Sequence, residues 1–158
     1  MTDSKVMSLA SFLNRRKTLR RQKKKVVFTN GCFDVLHYGH ISYLTKARKI
    51  GHFLVIGLNS DRSVRQLKGT GRPIFPQKER ARVLAALNCV DAVIVFKEDT
   101  PLKLIQKIKP DVLIKGGDWP LRKIVGYDFV KSYGGSVQRI SFIKNRSTSK
   151  TLSIISRL

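Results

Sequence analysis

The stretch VVFTNGCFDVLHYGHISYLTKARKIG, residues 26–51, contains the change of hydrophobic period that decides the fold. Its first four residues are apolar or β-branched, which predicts a buried strand over 26–29. Asparagine and glycine then punctuate residues 30–39 and predict a loop. After that loop, Ile41 and Leu44 begin an apolar repeat at helical spacing. A strand, a loop and a helix in this order predict the start of an α/β fold.

The same alternation repeats along the chain. We predict further strands over 53–58, 91–96, 111–115 and 136–143. We predict further helices over 76–88, over 100–109 and near 122–133, a final helix capped by Ser147 or Thr148 that ends near residue 155, and a long polar loop over 59–73. Thr100 is predicted as an N-cap. Continuous apolar strands that alternate with helices predict a single Rossmann-like α/β domain with a doubly wound, parallel, five-stranded sheet.

In doubly wound sheets, ligands bind beyond the carboxyl ends of the strands. That rule selects four loops of this chain, which are 30–39, 59–73, 116–122 and 144–148. We therefore expect the functional side chains to lie in these loops.

Charge is the most unusual feature of the composition. The 158 residues include 32 Lys and Arg but only 10 Asp and Glu, which gives a formal net charge of +22. Two interpretations compete. The chain is either a binder of nucleic acid or another anionic surface, or an enzyme for phosphorylated substrates with a lysine-rich surface.

The first residues differ from the rest in composition. Nine Lys and Arg and one Asp stand within residues 1–25, a net charge of +8. We predict a basic extension over 1–24, with a short amphipathic helix near Phe12 and mostly solvated charge after it. The main domain is predicted over 25–158.

Several classes are not supported by the sequence. Its apolar stretches are far shorter than the roughly 20 residues that span a bilayer, and its first residues do not resemble a secretory signal. Cys32 and Cys89 form no zinc-binding pattern. We therefore expect a cytoplasmic protein without membrane insertion.

The segment HYGH at 37–40 follows a predicted buried strand and opens a predicted helix. Backbone N–H groups and the helix dipole favour an anion there, and Gly39 permits close approach of the backbone. The imidazoles of His37 and His40 add donors, so the pattern indicates a phosphate site rather than a metal site. The chain has no P-loop pattern, and it also lacks G-x-G-x-x-G after the first strand, which argues against a nicotinamide enzyme.

Three segments together resemble the H-x-G-H nucleotidyltransferases, the cytidylyltransferase-like family. They are TNGCFDVLHYGH at 29–40, KGGDW at 115–119 and RSTS at 146–149. The resemblance covers about residues 25–157. Within the family, EDTP at 98–101 and other short segments are similar to the heptose 1-phosphate adenylyltransferases.

The resemblance implies an activity. An enzyme of that subfamily transfers AMP from ATP to D-glycero-β-D-manno-heptose 1-phosphate and releases pyrophosphate, in the synthesis of a lipopolysaccharide core precursor. Two alternatives stay open. One is a cytidylyltransferase for glycerol 3-phosphate or a similar phosphorylated alcohol, and the other is a polyanion-binding protein without enzymatic activity.

The resemblance also implies roles for individual residues. The catalytic residues would be His37, His40 and Lys68. Nucleotide-binding residues would be Thr29, Asn30, Gly31, Cys32, Phe33, Gly39, Lys115, Gly116, Asp118, Ser147, Thr148 and Ser149. Residues near the acceptor would be Asp34, Asn59, Asp61, Arg72 and Arg80. Mg²⁺ is expected on the ATP phosphates without protein ligands. The expected partners are ATP and a sugar phosphate, with a homodimer as a family expectation and nucleic acid not favoured.

Overall fold

The computed structural model describes residues 3–117, 119–141, 143, 148–155 and 157. Its strands are β1 (Val26–Gly31), β2 (Phe53–Asn59), β3 (Ala92–Phe96), β4 (Val112–Gly116) and β5 (Ser136–Ile140). Its α-helices are α1 (Leu9–Arg21), α2 (Tyr38–Lys49), α3 (Asp61–Lys68), α4 (Gln77–Ala85), α5 (Leu102–Ile108), α6 (Tyr127–Ser132) and α7 (Thr148–Ile155). Short 3-10 turns lie at Asp3–Lys5 and Leu121–Lys123. None of the helices in the described part of the chain is long and apolar enough to cross a membrane.

The five strands form one parallel sheet in the order β3-β2-β1-β4-β5. The chain winds outward from β1 through β2 to β3 and then returns to place β4 on the other side of β1. The switch point lies between β1 and β4, where Val27 pairs with Val112 and Phe28 pairs with Leu113. The predicted Rossmann-like, doubly wound, five-stranded parallel sheet is confirmed.

Helices cover both faces of the sheet, because successive strand residues point to opposite sides. Val27 packs into one core with residues of α2 and α4, whereas Phe28 packs into the other with residues of α1 and α5. Both side chains are fully buried. This double coverage explains why the strands are continuous apolar runs.

Three predictions of local structure are wrong in part. The region 59–73 is not all loop, because α3 forms within it. Ser60 caps α3 by accepting a hydrogen bond from the Ser63 N–H at 3.3 Å. Thr100 is not the N-cap of α5, since Pro101 holds that position without a side-chain bond. The helix predicted over 122–133 is a 3-10 turn followed by α6.

Residues before β1 pack against the sheet. Met7 N–H donates to the Val93 carbonyl at 3.1 Å, so this segment lies along β3, an edge strand of the sheet. Helix α1 buries Phe12 and Leu19 in the core that α5 also shares. The predicted boundary between residues 24 and 25 stays a prediction.

The expectation of mostly solvated charge in α1 is wrong for Arg16, which is 4% exposed. Its guanidinium donates to the carbonyls of Ile108 and Lys109 at 3.3 and 2.7 Å, and pairs with Asp111 at 3.1 Å. A cation at the carboxyl end of α5 is stabilised by the helix dipole. Arg16 therefore fastens α1 to α5.

Candidate active site

A crevice of about 530 Å³ opens at the carboxyl ends of β1, β2, β3 and β4. This is the place that the switch-point rule selects. The predicted site residues that line the crevice are Asn30, Gly31, Cys32, Phe33, Asp34, His40, Asn59, Lys68, Arg72, Lys115, Gly116 and Thr148. Five other predicted residues do not line the crevice but lie close to residues that do. They are Thr29, His37, Gly39, Asp61 and Arg80. Asp118 and Ser147 lie outside the described residues, and so does the side chain of Ser149.

The floor of the crevice is built around the end of β1. Thr29 is fully buried, and its hydroxyl lies 2.6 Å from the phenol oxygen of Tyr43 on α2. Phe33 takes a left-handed backbone conformation with φ of 43°, which turns the chain sharply after β1. A Cβ at Gly31 would lie 2.9 Å from the Phe33 ring. Only glycine at residue 31 therefore accommodates this turn without a shift of the ring.

The two histidines form the start of α2 as a reciprocal cap. The Nδ1 of His37 accepts the Gly39 N–H at 3.1 Å, and the Nδ1 of His40 accepts the His37 N–H at 3.4 Å. A neutral imidazole whose Nδ1 accepts a hydrogen bond carries its proton on Nε2. Each ring is thereby held as an Nε2–H donor. The N–H of Gly39 is used within this cap.

Burial keeps His40 neutral. Burial and, to a smaller extent, the nearby His37, whose ring centroid lies 4.0 Å away, together lower the pKa of His40 to about 4. The ring of Phe33 packs on the other side of His40, with 5.5 Å between the ring centroids. At neutral pH, His40 therefore offers the crevice an uncharged donor in a fixed orientation.

Asp34 anchors the segment that follows α3. Its side chain is 1% exposed, and its carboxylate pairs with the Nε of Arg72. It also accepts the N–H groups of Ile74 and Phe75, at 2.7 and 3.1 Å. Both carboxylate oxygens are thus occupied. These contacts favour a positioning role for Asp34 over contact with an acceptor, and Arg72 is the side chain that it positions at the crevice.

Arg80 on α4 is the second anchor beneath the crevice. It is 2% exposed and donates to the carbonyls of Phe75, Cys32 and Asn59. Its Nη2 also pairs with Asp61 at 2.7 Å. The guanidinium thus ties together three chain segments at the ends of β1 and β2. These contacts favour positioning over acceptor binding for Arg80 and for Asp61.

Cations surround the crevice. Lys68 is exposed at the end of α3, and Lys115 is half-buried at the end of β4. Burial lowers the pKa of Lys115, although the nearby Cys32 opposes the shift. Burial also raises the pKa of the Cys32 thiol, against the opposing charges of Lys68, Arg80 and Lys115. The thiol is therefore protonated at neutral pH, in agreement with a packing role and not a nucleophilic one.

Helix α7 begins at the crevice, which its first residue lines. The hydroxyl of Thr148, its first residue, donates to the Val35 carbonyl at 3.2 Å. The segment after β1 and the start of α7 are therefore neighbours. The family resemblance assigns both segments to the nucleotide phosphates. They lie close enough for both to contact the same anion.

Sequence reasoning missed several residues that line the crevice. They are Tyr43, Leu67, Asp99, Thr100, Pro101 and Val125; Trp119, which belongs to the quoted segment KGGDW, lines the crevice as well. The loop after β3 was omitted from the four selected loops, although it follows a carboxyl end like the others. Applying the switch-point rule to the carboxyl end of β3 as well would have selected Asp99 and Thr100.

The described residues include no cluster of three His, Cys, Asp or Glu side chains that could hold a metal ion. Two carboxylates near the crevice already form ion pairs, Asp34 with Arg72 and Asp61 with Arg80. This donor set suits a metal ion that arrives bound to phosphate oxygens. That Mg²⁺ is held through ATP stays a prediction.

A parallel sheet with a switch-point crevice and a histidine-capped helix defines a Rossmann-like α/β domain. Residues 28–151 match the family described as cytidylyltransferase-like, and the chain belongs to that family. The family resemblance seen in the sequence is therefore confirmed.

The chain is also similar to longer proteins. It is 53% identical to the bifunctional protein HldE of Syntrophotalea carbinolica over 150 residues, which cover 95% of this chain and 31% of that protein. HldE of Geobacter metallireducens is 50% identical over 156 residues, which cover 99% of this chain and 32% of that protein. The chain spans about a third of the length of these relatives.

Two solved structures share the fold. The lipopolysaccharide core biosynthesis protein from Thermoplasma volcanium has a TM-score of 0.63 and 29% identity, covering 78% of this chain and 99% of that one. Pantoate-beta-alanine ligase from Francisella tularensis, complexed with an ATP compound and beta-alanine, has a TM-score of 0.61 and 16% identity, covering 97% and 79%. The second likeness concerns the fold alone.

Proposed function

We propose that this domain transfers AMP from ATP to D-glycero-β-D-manno-heptose 1-phosphate, giving ADP-heptose and pyrophosphate. The observation that carries the proposal is the reciprocal cap of His37 and His40 at the switch-point crevice of a cytidylyltransferase-like domain. Similarity to proteins named HldE supports the choice of a heptose phosphate acceptor and ATP over the cytidylyltransferase alternative.

The reaction needs no nucleophile from the protein. A phosphate oxygen of the sugar attacks the α-phosphorus of ATP, a new P–O bond forms, and the bond to the bridging oxygen of pyrophosphate breaks. The protein's task is to align two anions that repel each other and to stabilise the charge that develops on the equatorial oxygens. Donors and cations fixed before the reaction perform this task best.

His40 is suited to the transferring phosphoryl group. Its neutral ring, held by the His37 N–H on one side and by Phe33 on the other, would donate its Nε2–H to an oxygen of the α-phosphate. An uncharged donor fixed in this way needs no proton transfer during the step. His37 would act beside it through the same tautomer.

The cations would divide between the two substrates. Lys115 lies at the end of β4 on the nucleotide side of the crevice, with Gly116 and Thr148 nearby. Lys68 and Arg72 follow β2 and would neutralise the acceptor phosphate as it approaches ATP. Mg²⁺ bound to the triphosphate would supply further charge neutralisation.

A cytoplasmic location and a homodimer are part of the proposal, since ATP is abundant in the cytoplasm and family members are expected to pair.

The test is a pyrophosphate-release assay with purified protein and magnesium, using ATP or CTP with heptose 1-phosphate or glycerol 3-phosphate. We expect release with ATP and heptose 1-phosphate. Preference for CTP and glycerol 3-phosphate would establish the cytidylyltransferase alternative instead. Absence of release with all four pairs, together with tight salt-dependent binding of polyanions, would support the non-enzymatic alternative.

A further inference from the structure

The crevice has two halves that differ in their walls. One half lies between β1 and β4, where a nucleotide binds in sheets of this topology. The other half lies at the ends of β2 and β3. These two strands are neighbours up to their last residues, where Asn59 pairs with Phe96. On the proposed function, which this inference presupposes, the second half receives the acceptor.

Most residues that sequence resemblance assigns to the acceptor are already engaged by other protein groups. Asn59 donates its side-chain amide to Ser63 at 2.9 Å and is 3% exposed. Asp61 pairs with the buried Arg80, and the carboxylate of Asp34 is saturated. Arg72 pairs with Asp34 through its Nε but also lines the crevice, and as a cation it would bind the acceptor phosphate and not the sugar hydroxyls. These residues leave the sugar hydroxyls without a dedicated partner.

Asp99 and Thr100 can supply that partner. Both lie in the loop between β3 and α5, both line the crevice, and both are exposed. No hydrogen bond or ion pair joins either side chain to another described residue. The Thr100 side chain does not cap α5, because Pro101 occupies the N-cap position of that helix.

The charge of Asp99 restricts what it can bind. A carboxylate accepts hydrogen bonds and repels phosphate, so it suits the uncharged, hydroxyl-rich end of a substrate. Its two oxygens can accept from neighbouring hydroxyls of one ring. Lys68 and Arg72, which line the same crevice, suit the opposite, phosphorylated end. The acceptor half therefore has a cationic part and an anionic part, as a sugar phosphate requires.

We propose that Asp99 and Thr100 recognise the hydroxyl groups of the acceptor sugar and make the enzyme selective for a polyhydroxylated sugar phosphate. Neither residue touches the reacting phosphorus in this arrangement. Their loss should weaken acceptor binding and leave nucleotide binding unchanged.

The experiment compares Asp99→Asn and Thr100→Val with the wild type, using pyrophosphate release at varied heptose 1-phosphate and then at varied ATP. Glu98→Gln is the matched control, because it removes an exposed carboxylate one residue away that does not line the crevice. We expect Asp99→Asn to raise KM for the sugar phosphate about 10- to 100-fold, the usual worth of a hydrogen bond to a charged group. KM for ATP should change less than about twofold, and a melting curve checks that each variant is folded.

The outcomes separate this inference from the proposed function. Wild-type turnover with an unchanged acceptor KM in both variants would overturn the inference and leave the function standing. An equal rise in KM for ATP, or an equal effect of Glu98→Gln, would also overturn it, because the effect would then not be specific to the sugar. Wild-type protein that turns over no sugar phosphate would overturn both.

Discussion

Replacing Arg80 by methionine tests whether one buried side chain assembles the crevice. Methionine keeps most of the apolar stem and removes the guanidinium. The change leaves Asp61 without its ion pair and three carbonyls, those of Phe75, Cys32 and Asn59, without these donors. Each carbonyl that loses its buried donor costs about 1–3 kcal/mol, whereas Asp61, whose side chain is 27% exposed, stays accessible to water, so the loss is about 3–5 kcal/mol in total. We expect the free energy of unfolding to fall by that amount, since Arg80 is 2% exposed.

The assay is urea unfolding followed by circular dichroism, with the midpoint and the slope fitted separately. Lys78→Met is the matched control, because it removes an exposed cation from the same helix. That control should stay within about 0.5 kcal/mol of the wild type. Arg80→Lys should recover part of the loss, since an ammonium group can reach only some of the four acceptors. An Arg80→Met midpoint equal to that of the control would refute the positioning role.

Three further predictions concern the helix cap and the N-terminal helix. His40→Ala should lower kcat about 10²–10³-fold while the protein stays folded, because one fixed donor to the transition state is lost; near-normal kcat would remove His40 from the mechanism. The pKa of His40 is about 4 in the folded protein against an ordinary 6.5, so the unfolded chain binds more protons between these values. The free energy of unfolding should therefore fall as pH falls from about 6.5 to 4, and a His40→Ala curve of the same steepness would contradict this. Arg16→Met should cost about 2–3 kcal/mol in urea unfolding, because its bonds to Ile108, Lys109 and Asp111 are lost; an unchanged midpoint would mean that Arg16 does not fasten α1 to α5.

The elements that the sequence predicted best are those with a clear hydrophobic period. The strands expected over 53–58 and 91–96 lie where β2 and β3 form, because their apolar runs are continuous. Helix α3 was missed because only Val64 among its apolar side chains is buried, so its pattern has no apolar face to detect. Its start depends on the Ser60 cap instead.

The site was predictable where its residues are local in the chain and obscure where they are not. The histidine pair stands within four residues, so its spacing reveals it. Asp34 meets Arg72 from 38 residues away, and Arg80 reaches Cys32 from 48 residues away. No spacing rule exposes such contacts, because the return of the chain through β2 and α3 creates them. The crevice residues Asp99 and Thr100 stand in the segment EDTP, which carries the subfamily resemblance, but the rule on strand ends was not applied to the loop after β3.

The two edge strands of the sheet differ, because the segment at Val6 and Met7 lies along one of them. Along β3, the backbone groups that a foreign strand would need are partly taken, since Met7 already donates to the Val93 carbonyl. The opposite border is β5, which is five residues long and bears the exposed Arg139. That outward charge discourages strand addition there, whereas β3, which has the same length, is apolar throughout. Removal of the N-terminal segment would therefore expose the hydrogen-bonding edge of the apolar strand β3. Self-association of the truncated chain would begin at that edge.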